Sequence, residues 1–203
     1  MKKLLKVLAI AVASLTLFVG CGINYNATLV TITNDGEMDT ITLGYGNFVA
    51  RYTQALYDSY YGAILSDGFW DTDMYGNGNS MEEDTKDSVM DEIKTAYLCK
   101  VHAADYGVEL TEEQTKAIDA AAKKFMEDND EEALSELGAK EEYVRDYLTY
   151  RTYYTLVSEK EPDLETKKSE WEAATTWTVD EKQWEKVSFD NKFVTKTEEA
   201  TEE

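Results

Sequence analysis

The sequence predicts a mostly α fold opened by a small β-hairpin, and three observations predict it. Beyond Gly46, apolar residues recur at three- and four-residue steps, the spacing of helices that bury one face. Capping residues and single glycines punctuate those windows at helix length. Alternating β-branched residues, the mark of strands, are confined to short stretches near the two ends.

The first twenty residues stand apart from the fold. Lys2, Lys3 and Lys6 precede an apolar run from Val7 to Val19, and Gly20 lies directly before Cys21. This is signal-peptide architecture, and Phe18-Val19-Gly20-Cys21 resembles a lipobox, with Phe18 where leucine is usual. About 13 apolar residues fall short of the roughly 20 that span a bilayer, which favours a cleaved signal over a transmembrane anchor. The expected mature chain begins at Cys21, whose sulfur carries the lipid, and faces outside the cytoplasm at the cell membrane. Buried acyl chains contribute about 0.8 kcal/mol per CH₂, so two or more hold a protein at the membrane. Residues 21–26 read as a tether, 27–194 as a single helical domain, and 195–203 as a disordered acidic tail.

Composition narrows the function further. The chain of 203 residues has 41 acidic and 20 basic side chains, a net charge of −21, which becomes −24 when the three signal lysines are removed. Phosphate binding needs clustered Lys and Arg, so nucleic acid is not an expected partner. With Cys21 lipidated, Cys99 has no intramolecular partner and reads as a small hydrophobe in a helix.

Ala27–Thr33 alternates as a strand, Asn34-Asp35-Gly36 signals a tight turn, and Thr40–Thr42 is the partner strand. From Gly46, Phe48, Val49, Tyr52, Leu56, Tyr60, Ala63 and Ile64 mark a helix with a tyrosine-rich flank. Residues 66–79 read as an aromatic-bearing loop. Its Asp71 and Asp73 invite comparison with an EF-hand, with Glu82 at position twelve, but the third ligand position holds Tyr75. A long helix is expected from Met81 to Tyr106, stopped by Gly107. Thr111 with Gln114 forms a capping box for the next, a short helix ends at Gly138, and another covers about Lys140 to Val157. Beyond Pro162, Leu164–Ala174 and Thr178–Lys186 are expected helices, and Val187–Val194 an expected strand returning to the hairpin.

Signatures of chemistry are sparse. His102 is the one histidine, in a long helix, and the sequence has no HExxH, CxxC, Walker or dinucleotide loop. With 41 acidic residues, carboxylate pairs arise by accident, so spacing alone assigns no acid or base. No metal, cofactor or catalytic residue is expected. Aromatic residues are abundant, and such rings contact many apolar partners without demanding one shape.

Three stretches carry a family resemblance. DSVMDEIKTAYLCKVHAADYGVELTEEQ (Asp87–Gln114) resembles the long helix, glycine stop and restart in the chaperone lobe of extracytoplasmic foldases of the PrsA and SurA type. ITLGYGNFVARYTQALYDSYYG (Ile41–Gly62) is similar to the opening of that lobe. EWEAATTWTVDEKQWEKVSFDNKFV (Glu170–Val194) is similar to the segment that folds back on it. The family's parvulin-type prolyl isomerase domain has no room here. Only 13 residues separate Val157 from Trp171, where a domain takes at least ~50.

The resemblance implies a chaperone lobe without isomerase activity, a holdase whose partners are unfolded or newly exported polypeptides. Tyr57, Tyr61, Trp70 and Tyr153 are the expected contact residues, in a groove between the first helix and the helix around Tyr147–Tyr154. The alternative is a surface adaptor or assembly lipoprotein that binds one folded partner through the same lobe. A third class, an enzyme using clustered carboxylates, would show a metal-dependent activity. The sequence leaves the oligomeric state open.

Overall fold

Strand β1 (Thr28–Asn34) pairs antiparallel with β2 (Glu37–Thr42) across Asp35 and Gly36, as the turn signal predicts. Both turn residues have positive φ, 48° and 83°, which the right-handed twist of a two-residue hairpin requires. These elements come from a computed structural model that describes residues 23–61, 68–189 and 193. The signal at 1–20, lipidation of Cys21 and the tail at 195–203 lie outside the described residues, as do Ala63 and Ile64.

Helix α1 (Leu43–Tyr61) starts three residues before Gly46 because Thr42 caps it, its Oγ1 accepting the Tyr45 N–H at 3.3 Å. A Cβ on Gly44 would strike the Tyr143 ring, and one on Gly46 would strike Leu29. The two glycines thus let α1 lie close to the sheet and to a later helix. The loop that follows carries a 3₁₀ turn at Phe69–Asp71.

Helix α2 (Met81–Val101) opens on a Ser80–Glu83 capping box and stops five residues short of the expected Tyr106. His102 leaves the helical path to stack on Trp171 at 4.6 Å, and Ala103–Tyr106 continues as a 3₁₀ turn to Gly107, at φ 60°. Helix α3 (Glu112–Asp128) has the predicted Thr111–Gln114 box, and α4 (Glu131–Leu137) ends at Gly138 in the left-handed region. Helix α5 (Glu141–Ser158) and α6 (Leu164–Ala174) follow.

The C-terminal part departs from expectation. Thr175–Val179 is strand β3, paired antiparallel with β1 to give the order β2-β1-β3, and the expected helix shrinks to α7 (Glu181–Trp184), capped by Asp180. β3 takes the free side of β1, and Val187–Phe189 and Phe193 belong to no strand, yet Val187, Phe189 and Phe193 are buried; the rest of the expected strand, 190–192 and 194, lies outside the described residues. The hairpin, the sheet side of α1 and the inner faces of α2, α3 and α5 share one apolar core. Among the described residues, no helix is long and apolar enough to cross a membrane.

Candidate functional site

One flank of α1 is closed by rings. Phe48 and Tyr52 stack at 5.8 Å, both meet Phe125 of α3 edge-on, and both meet Tyr147 of α5 edge-on, at 6.3 and 5.7 Å. The groove expected between α1 and α5 is therefore filled, because edge-to-face rings interlock there. Burial pushes the hydroxyls of Tyr45, Tyr52 and Tyr147 above the usual phenol range. Tyr153 is half-buried on α5 against the core.

Tyr57, Tyr61 and Trp70 do come together. The Tyr57 ring lies 6.0 Å from Tyr61 and 5.8 Å from Trp70. Trp70 itself is only 7% exposed, its indole N–H donating to Asp58 Oδ1 at 3.2 Å, so it lies under the surface. Tyr60, expected on the buried face, is 71% exposed, because α1 outruns the core at its last turn. A cleft of about 280 Å³ opens beside Tyr57, with Tyr75, Met81 and Val89 as apolar walls and Asp84 and Glu92 as acidic ones.

The loop roofing that cleft is folded on Asp73. Its carboxylate accepts the N–H groups of Gly76, Asn77 and Gly78 at 2.6–3.2 Å, and these bonds, Gly78 first, hold it below the usual carboxylate range. Among the described residues, no group of three or more His, Cys, Asp or Glu side chains is arranged to hold a metal ion. Burial alone raises the Cys99 thiol to about 11, which keeps it protonated and unreactive at neutral pH.

The other flank of α1 holds what sequence reading missed. Asn47, Arg51, Gln54 and Asp58 recur at three- and four-residue steps, all four buried. Asn47 donates to the Leu137 carbonyl and Arg51 Nε to the Glu136 carbonyl, satisfying the open C-terminal carbonyls of α4. Beyond Arg51 the stripe turns to the C-terminal segment. Arg51 Nη1 donates to the Ser188 carbonyl at 2.9 Å and Gln54 Nε2 to the Phe189 carbonyl at 3.2 Å. From α2, Lys86 Nζ donates to the Val187 carbonyl at 2.7 Å, and Glu82 accepts the Phe189 N–H at 2.9 Å. Asp58 Oδ2 accepts the Phe193 N–H at 2.8 Å.

Three successive carbonyls are thus each taken by a different side chain. The apolar groups fill pockets between them: the Phe189 ring meets Trp70 at 4.9 Å, and the Arg51 guanidinium lies 4.6 Å over the Phe193 ring. A buried polar stripe at helical spacing was the sequence signal for this groove, but burial of Gln and Asp is not visible in composition. No known protein family, curated protein or solved structure matches the chain.

Proposed function

We propose that this protein is a lipid-anchored extracytoplasmic chaperone of the holdase type, which shields unfolded segments of newly exported chains and has no prolyl isomerase activity. Cys21 is the proposed lipid attachment point. The observation that carries the reading is the α1–α2 groove, where side chains hold an irregular apolar segment through its main chain. Main-chain atoms are common to every polypeptide, so such contacts tolerate many sequences, whereas apolar pockets select unfolded ones. The strongly acidic surface repels an anionic membrane and keeps the anchored domain in solution.

The test is light scattering from a reduced, unfolded model protein, with and without this protein held in lipid nanodiscs, beside a prolyl isomerisation assay. Suppressed aggregation with no isomerase activity is expected. No suppression at several-fold molar excess would overturn the reading. A second reading, an adaptor for one folded partner, draws on the exposed aromatic side chains of Tyr57, Tyr60, Tyr61 and Tyr75, the kind that anchor interfaces. A single stoichiometric partner recovered by pull-down would favour it.

A further inference from the structure

We infer that the α1–α2 groove is the client site and that Val187–Phe189 and Phe193 occupy it as an internal stand-in, which an incoming unfolded segment displaces. This inference rests on the holdase reading and names the site, the kind of ligand and the way the site is kept closed.

The stand-in makes the argument. Main-chain groups in a folded core ordinarily pair with other main-chain groups in helices and sheets. Here the carbonyls of Val187, Ser188 and Phe189 are instead taken by Lys86, Arg51 and Gln54, and the N–H groups of Phe189 and Phe193 by Glu82 and Asp58. None of these bonds depends on the identity of the side chain at 187–189 or 193. Selectivity comes from the buried Val187 and Phe189, two residues apart, and from the pocket under Arg51 that takes Phe193. The groove therefore fits an unfolded segment with an aliphatic and an aromatic residue two positions apart and a second aromatic residue four positions further on.

Energetics favour exchange with long clients. A segment tethered beside its own groove acts at an effective concentration on the order of millimolar, so a short free peptide competes poorly. An unfolded chain offering several apolar segments rebinds as each one leaves, and competes well. The groove stays shielded when no client is present, and its apolar pockets are not left open to self-association.

The probe is a fluorescein-labelled peptide with the sequence of residues 186–194, KVSFDNKFV. It is titrated against the full chain in nanodiscs, wild type and a Phe189→Ser, Phe193→Ser double variant. The double variant is expected to bind at least about tenfold more tightly, because the tethered competitor has been weakened. Adding Lys86→Met to it should weaken the peptide severalfold. A folded double variant that binds no tighter than wild type overturns the inference.

Amide hydrogen exchange on the wild-type chain decides the matter if the double variant fails to fold. The Phe189 and Phe193 amides should exchange at least about tenfold faster than those of Leu98 and Val144, by an opening smaller than global unfolding. Equal rates would make the segment ordinary core and overturn the inference. Tighter peptide binding without suppressed aggregation would leave the groove standing and sink the holdase reading. Suppressed aggregation with unchanged peptide binding would do the reverse.

Discussion

The two flanks of α1 achieve burial in opposite ways. On one, Phe48 and Tyr52 interlock with Phe125 and Tyr147 through apolar ring contacts. On the other, Arg51, Gln54 and Asp58 are as buried as the rings but act through directed bonds to carbonyl and N–H groups of a distant segment. Apolar burial is worth roughly 25 cal/mol per Å² and has no direction. A buried polar group adds little net stability when paired, and costs about 1–3 kcal/mol when its partner is removed. The first flank fixes where α1 lies; the second makes the place of the C-terminal segment depend on a matched set of donors and acceptors.

The largest effect expected of a single change is on the ring flank. Phe48→Ala removes a fully buried ring that touches three others, and should cost about 3–5 kcal/mol in a urea unfolding curve. Exchange at Phe189 should rise no more than exchange elsewhere, since the loss is global. A cost below about 1 kcal/mol would mean that neighbouring rings collapse into the space, and that this flank is loosely packed.

Asp58→Ala probes the opposite flank. It leaves the Trp70 indole N–H and the Phe193 N–H without that acceptor, and should cost about 2–4 kcal/mol from two orphaned donors. The local signature matters more than the magnitude: Trp70 emission should shift to the red, and exchange at Phe189 and Phe193 should rise before that of the α5 core. If both flanks respond only by global unfolding, the contrast between them has no functional meaning.

The same contrast explains what the sequence made legible. The hairpin, the Gly138 stop and the Thr111–Gln114 box are local devices, in which a few adjacent residues carry the whole signal, and each stands where expected; Gly107 is left-handed as expected but ends the 3₁₀ turn after α2, not α2 itself. The departures are tertiary. Thr175–Val179 directly follows α6; its β-branched and aromatic residues are a strand signal, but no glycine or proline marks where the helix stops. Val187 and Phe189 flank a polar Ser188 as in a strand, and both are buried along with Phe193, although Asp190, Asn191 and Lys192 interrupt the alternation. Alternation reports one-sided burial of the chain, but not what its main-chain bonds pair with. Here side chains of α1 and α2 stand where a neighbouring strand was expected. Of the expected contact residues, Tyr57, Tyr61 and Trp70 converge near this groove, because one helix turn and one adjoining loop carry them. The pairing with Tyr153 relied on an interface that rings already fill.

A titration offers the finest test of how dry the ring flank is. Burial holds the hydroxyls of Tyr45, Tyr52 and Tyr147 above the ordinary phenol value of about 10. In each case the folded value is raised above the unfolded one, so the contribution is fully present below about pH 10 and is lost as pH rises through the folded value. The unfolded chain releases these protons first, and the urea midpoint should fall steadily above about pH 10. Tyr52→Phe removes one of the groups and keeps its ring contacts, so it should change stability little at neutral pH. Above about pH 10 its midpoint should fall less steeply than that of the wild type. Parallel curves would mean that the Tyr52 hydroxyl ionises as readily in the folded chain as in the unfolded one. Water would then reach the ring flank, and the sharp distinction between the two sides of α1 would lose its physical basis.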